Sequence, residues 1–294
     1  MTAFAALFIV IWSTGFIVAK AIAPVADPNL FLTVRCCIAG ALFLVAALVV
    51  RAPWPKRRDI PKHLLAGALL QGGYLGGTYW AVGQGLAPGV MALIGSLQPL
   101  LTAVLAIAVL REVPTRRTWA GLSLGVGGVA LVLLPGVHAS GGGALSFSVF
   151  AVAIAAVLSL TAGTVLQKTS IAGADLRATS VLQNAGAAAL VGVITLVRGE
   201  TRWITGPTLW ASLAWAAFVL SGLGTLLLVW MVRRGRAANV ASLLLLAPPL
   251  AATESYFLFG DRLTVIQIAG FAIALVGVFL CNPAAADPRR APAR

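Results

Sequence analysis

The feature that most constrains this chain is a succession of apolar runs, each about as long as a lipid bilayer is thick. A hydrocarbon core about 30 Å across needs around 20 apolar residues per helix. Ten such runs, bounded by charge, Pro or Gly, fall at 2–22, 29–50, 63–85, 88–110, 118–135, 147–167, 178–197, 208–230, 238–259 and 263–281. They are continuously apolar rather than alternating, which favours helices over barrel strands, because only a helix satisfies its backbone groups inside a single segment. The expected fold is an all-α integral membrane protein with ten transmembrane helices. Composition agrees. Of the 294 residues 60% are hydrophobic and 10% charged, against about 45–50% and about 25% in an ordinary soluble domain, and so little charge leaves a large solvated surface uncovered. Ala21-Ile22-Ala23 resembles a signal cleavage site, yet no Lys or Arg precedes the first run, which is also longer than a signal's apolar core. It reads as a retained span.

The net charge of +13 orients these helices. With the N-terminus inside, Arg51, Lys56, Arg57, Arg58 and Lys62 fall in the second loop, and Arg111, Arg116 and Arg117 in the fourth. Lys168 and Arg177 fall in the sixth, Arg233, Arg234 and Arg236 in the eighth, and Arg289, Arg290 and Arg294 in the tail, all on the inner side. Only Lys20, Arg198, Arg202 and Arg262 lie outside. This bias predicts a bacterial inner-membrane protein with both termini cytoplasmic. Basic residues spread over loops do not form the aromatic-lined basic face that nucleic acid requires. The cysteines are Cys36, Cys37 and Cys281, with neither disulfide nor metal-ligand spacing, and no metal or cofactor is expected.

A repeat underlies the ten runs. Trp12-Ser13-Thr14-Gly15 through Lys20 aligns with Leu160-Thr161-Ala162-Gly163 through Lys168 at an offset of 148. Ser96-Leu97-Gln98-Pro99-Leu100 aligns with Leu246-Ala247-Pro248-Pro249-Leu250 at 150, and Glu112, Gly121 and Gly128 with Asp261, Gly270 and Gly277 at 149. The expected organisation is a first five-helix repeat at 2–138, an outer linker at 139–146, a second repeat at 147–281 and a cytoplasmic tail at 282–294. Five is odd, so the second half enters from the opposite side and the halves have inverted topology. Such repeats build transporters with alternating access.

These residues carry a resemblance. The Trp12-Ser13-Thr14-Gly15-Phe16 opening, Arg35 early in the second run, the apolar-Pro pattern of the fourth, and Leu110-Arg111-Glu112 followed by Trp119-Ala120-Gly121 are similar to the EamA-type family of the drug/metabolite transporter superfamily. The resemblance covers essentially 2–281. It implies movement of small organic metabolites, often amino acids or their analogues, without ATP hydrolysis, and it names no substrate. Export of amino acids or analogues is the favoured reading; a facilitative channel or exchanger, or efflux of drugs and cations, is the alternative. The halves differ where Arg35 aligns with Gln183 and Glu112 with Asp261.

Charges inside spans are the informative ones, since one at mid-bilayer costs roughly 2.5–3.5 kcal/mol on insertion scales. Lys20, Arg35 and Glu254, the sole acid inside a run, occupy a similar depth in the outer half. They are the gating and coupling candidates, with Glu254 paired to Arg35 or Lys20, or titrating with protons as the coupling ion. Gln98 and Pro99, with counterpart Pro249, are cavity candidates because proline removes a backbone hydrogen bond and frees carbonyls. Tyr74, Thr78 and Tyr79 in the third run, Trp12 and Ser13 in the first, Gln183 and Asn184 in the seventh and Trp215 in the eighth complete a pocket of aromatic walls and few polar groups. Gly72 with Gly76, Gly73 with Gly77, and Gly121 with Gly125 have the small-xxx-small spacing of close helix packing.

Enzyme chemistry finds no constellation. His63 and His138 sit at span edges, and Ser13 and Lys20 are two helical turns apart. Gly141-Gly142-Gly143 lacks the following Lys and Ser/Thr of a phosphate loop and reads as a flexible linker. The expected partners are a small-molecule substrate and the bilayer, with the chain a monomer or weak homodimer.

Overall fold

The computed structural model describes residues 2–102, 104, 115–137, 146–171, 173–225, 227 and 244–281. Arg111, Glu112, His138, the glycines at 141–143, the basic residues of the eighth loop and those of the tail lie outside the described residues. Helices account for most of what is described: α1 Thr2–Ile22, α2 Pro28–Val49, α3 Ile60–Gly67, α4 Tyr74–Gly83, α5 Pro88–Ser96, α6 Arg116–Val137, α7 Phe147–Ser170, α8 Leu176–Arg198, α9 Pro207–Ala214, α10 Ala247–Phe259 and α11 Val265–Cys281. Two π-helical segments, Ala68–Gly73 between α3 and α4 and Trp215–Gly224 after α9, continue their helices. Among the described residues six helices are long and apolar enough to cross a membrane, at Phe4–Ile22, Pro28–Val49, Arg116–Leu134, Phe147–Thr169, Leu176–Arg198 and Pro207–Gly224. The apolar helices Pro88–Thr102 and Val265–Leu280 are shorter.

Local chemistry sets several ends. Pro28 opens α2 after an extended Asp27, where its missing N–H costs nothing. α8 and α10 end at Gly199 and Gly260, with φ of +63° and +74°, the left-handed cap that L side chains adopt at a cost.

The chain divides into two compact units. One comprises Val18–Gln84 and Ala151–Leu223, the other Met1–Ile17, Gly85–Phe150 and Gly224–Arg294. In the first, α2 packs on α8. A methyl added at Gly40 would sit 3.3 Å from Asn184 Cβ, and one at Gly192 would sit 3.7 Å from Thr33. Contacts that climb one helix while descending the other mark an antiparallel pair. The glycine ridges of the third run face two neighbours. Gly72 and Gly76 lie against Leu190 and Val191 of α8, whereas Gly73 and Gly77 lie against Ser159 and Ala156 of α7.

In the second unit α6 packs on α11 and α5 on α10. Gly128 abuts the backbone of Gly270 and Ala274, and Gly277 abuts Gly121 and Gly125. Because Gly121 and Gly128 align with Gly270 and Gly277, each glycine meets its partner's counterpart, the reciprocal pattern of a two-fold contact. The order again runs antiparallel. Counterpart runs share their irregularities too: the fourth turns at Leu97 and the ninth at Leu245–Leu246, each just before the aligned prolines, and the third and eighth carry the π segments.

A clasp closes one end of the first unit. Glu200 Oε2 accepts from the backbone N–H of Asn29 at 2.9 Å and of Leu30 at 3.0 Å, and Oε1 accepts from Asn29 Nδ2 at 2.5 Å. It thus caps α2, whose own preceding Asp27 makes no such bond to it. Asp27 instead accepts from Thr201 N–H at 3.0 Å and Arg202 N–H at 2.9 Å, and pairs with the Arg202 guanidinium at 3.2 Å. Ala26 and Trp203 form an antiparallel bridge. Charge-assisted bonds at a helix start contribute about 2 kcal/mol together, so Glu200→Ala is expected to lower the unfolding temperature in detergent by several degrees. Arg58→Ala, at an exposed side chain, is the control expected to leave it unchanged.

Candidate functional site

The candidates divide between the two units. Trp12, Ser13, Gln98, Pro99, Pro249 and Glu254 belong to one, and Lys20, Arg35, Tyr74, Thr78, Tyr79, Gln183, Asn184 and Trp215 to the other.

In the first unit the structure brings Arg35 and Tyr79 together. Arg35 lies about two turns inside α2 and is 7% exposed. Its Nη1 donates to the Tyr79 hydroxyl at 3.3 Å, and its Nη2 donates to Ser221 Oγ at 3.3 Å. Ser221 was missed in sequence, and it stands in the second π segment. The widened turn there lets Ser221 Oγ donate back five residues to the Ala216 carbonyl at 3.0 Å, which turns its lone pairs to Arg35. The Tyr79 ring stacks on Phe31 at 6.1 Å and borders a cavity of about 250 Å³ that Trp80, Gln84, Asp27 and Arg198 also line. The Arg198 guanidinium lies 5.6 Å from the Trp80 ring centre, a cation–π contact at the cavity's rim.

The other members of this unit are dispersed. Thr78 is buried and its hydroxyl has no partner among the described residues. Gln183 reaches Gln167 at 3.4 Å, and Asn184 Nδ2 donates to the Ser180 carbonyl at 2.8 Å, leaving its Oδ1 without a partner among the described residues. Gly67 rests on the Gln183 backbone, so this stretch of α8 is also a packing surface. Tyr74 is half-buried, and Trp215 is 41% exposed.

In the second unit Ser13 and Glu254 meet. Ser13 is fully buried on α1, and its Oγ lies 2.6 Å from Glu254 Oε1 and 2.9 Å from the Val10 carbonyl. Glu254 Oε2 is buried without a hydrogen-bond partner among the described residues. The Trp12 ring packs tilted against Phe8, with ring centres 5.4 Å apart. Gln98 and Pro99 are half-buried and follow the turn at Leu97, while Pro249 lies in the first turn of α10.

Comparison with known proteins decides the setting of these networks. The family model of the EamA-like transporters matches residues 1–134 and 147–282. This chain belongs to the EamA-like transporter family. An uncharacterized transporter of Synechocystis is 28% identical, with 92% of this chain and 86% of the relative covered. A protein of Salmonella typhimurium named a probable amino-acid metabolite efflux pump is 25% identical over 94% and 92% of the two chains. Another, of Streptantibioticus cattleyicolor, named a probable terminal-alkyne amino-acid exporter, is 25% identical over 87% and 84%. A solved crystal structure of 19% identity superposes with a TM-score of 0.61 over 95% of each chain, a likeness of fold. The EamA-like chain is thus a multi-pass integral membrane protein and a transporter, not an enzyme.

Proposed function

We propose that this EamA-like transporter is a secondary carrier of ten membrane-crossing helices that exports amino acids or close analogues across a bacterial inner membrane. In this reading 2–138 and 147–281 are inverted five-helix halves joined by 139–146, and both termini, including the tail 282–294, are cytoplasmic. The observation that carries it is the reciprocal antiparallel contact of Gly121 and Gly128 with Gly277 and Gly270. A direct duplication would run counterpart helices parallel; an inverted one runs them antiparallel, and inverted halves are the architecture of alternating access. The names of the Salmonella and Streptantibioticus relatives support amino acids as cargo.

Coupling runs through Glu254 with protons as the driving ion. One hydroxyl proton on Ser13 faces two acceptors, Glu254 Oε1 and the Val10 carbonyl. With Glu254 ionised, Ser13 donates to the carboxylate. With Glu254 protonated, the acid donates to Ser13 and Ser13 donates to Val10. Both states are satisfied by rotating one hydroxyl. The neighbouring α5 contributes no titratable side chain, and Asp261, beyond α10, accepts from Ser255.

The test is a proteoliposome screen of amino acids, nucleosides and amphipathic cations, with and without a pH gradient. Amino acids are expected to move, and faster with the gradient. Movement of cations alone would replace this reading with cation efflux.

A further inference from the structure

Arg35 is a buried cation whose counter-charge is absent among the described residues. Ion pairs there join Arg58 and Lys62 to Asp59, Arg177 to Asp175, and Arg202 to Asp27; among the described residues no carboxylate lies within ion-pair distance of Arg35. Its two side-chain partners are neutral hydroxyls, each at 3.3 Å, at the long end for a guanidinium bond and few for a group with five N–H donors. Arginine keeps its proton in proteins, so it cannot escape the cost of burial by turning neutral as Lys or Glu can. A permanent charge held this way is built to receive an anion.

The surroundings say from where. Tyr79 accepts from Arg35 and keeps its own O–H to donate, and the same side chain borders the 250 Å³ cavity. At the rim stands Arg198, which also lacks a carboxylate within ion-pair distance among the described residues and leans on Trp80. Of the other charges that line the cavity, Arg202 and Asp27 pair with each other and Glu200 is engaged at the start of α2, so a molecule there meets two cations without a carboxylate among the described residues, Arg198 at the wall and Arg35 behind the tyrosine. Carboxylate matches this set, because a guanidinium grips it with two parallel bonds and a tyrosine O–H adds a third.

We propose that Arg35, flanked by the Tyr79 and Ser221 hydroxyls, is the receptor for the carboxylate of the transported metabolite, entered from the cavity beside Tyr79. This rests on the reading of the chain as an amino-acid carrier and narrows it: the carboxylate is obligatory, and amines lacking it are rejected by like charge. When the ligand binds, the long contacts of Arg35 give way to short charge-assisted ones, with Tyr79 changing from acceptor for Arg35 to donor for the ligand.

The experiment uses the full chain in nanodiscs with L-phenylalanine, L-leucine and L-threonine, each beside its decarboxylated amine and its carboxamide, read by calorimetry. The acid of at least one set is expected to bind about 30-fold or more tightly than its amine and amide, the difference between a paired and an unpaired buried charge. Arg35→Gln is expected to erase that preference, and Tyr79→Phe to shrink it about tenfold, with monodisperse protein in each case. The comparison of ligands on the unaltered chain needs no variant and so survives a variant that fails to fold. If amine or amide binds as well as the acid, or if folded Arg35→Gln keeps the preference, the receptor is overturned while the amino-acid reading stands. If no member of any set binds, the amino-acid reading falls and the receptor with it.

Discussion

Replacing Gly128 with Leu is expected to prevent the transporter from folding, while the same change at Gly127 is expected to be tolerated. At Gly128 even a single added carbon would fall within 2.6 Å of the Gly270 carbonyl oxygen and inside the backbone of Ala274. Backbone cannot swing aside as a side chain can, so α6 and α11 must separate. Overpacking a tight contact costs roughly 1–3 kcal/mol when side chains absorb it, and here both neighbours are main chain. The cost extends along the crossing, because Gly277 is held equally close to Gly121 and Gly125, and helix association in lipid depends on that close packing. Gly127 is the control: a carbon added there meets nothing within 4 Å. Size-exclusion profiles and thermal unfolding in detergent would read the contrast, and a native profile for Gly128→Leu would refute the crossing.

The second large effect concerns pH. Glu254→Gln is expected to give transport that no longer varies with pH and no longer responds to a pH gradient, with expression near normal. Glutamine imitates the protonated acid, since its N–H₂ donates to Ser13 Oγ and leaves Ser13 free for the Val10 carbonyl. The carrier then holds one state of the network permanently. Exchange of substrate down its own gradient should continue, because no binding group has been lost. Ser13→Ala leaves the carboxylate unaided and is expected to shift the pH profile rather than flatten it. Rates measured in proteoliposomes across pH would decide, and a profile for Glu254→Gln identical to that of the unaltered chain would remove Glu254 from coupling.

Much of this was legible in the sequence, and the reasons are physical. Apolar length marks a span because lipid admits no unsatisfied backbone, and each of the six span-length helices overlaps a run read directly from composition. The offset near 149 also carried structural meaning. Pro99 and Pro249 follow helix breaks, and the aligned glycines are the ones that touch. What sequence could not supply is contact at a distance. Ser221 is an ordinary serine in an apolar run until a π turn presents it to Arg35, 186 residues away in sequence. Asp27 has the position of a cap for α2 but accepts from the backbone at Thr201 and Arg202, and Glu200, from a different loop, does the capping. Similar depth in the membrane points to pairing Glu254 with Lys20 or Arg35; the structure gives it Ser13, and gives Arg35 hydroxyls in the other unit.

The central claim is that this transporter is a carrier, with a substrate site open to one side at a time. Its most direct test is trans-stimulation: proteoliposomes loaded with an amino acid found to be transported, then given the radiolabelled form outside. Uptake several-fold faster than into empty vesicles, saturating with concentration, is the predicted result. Uptake that is unaffected by internal substrate and rises linearly with concentration would mean a channel, and would contradict the carrier.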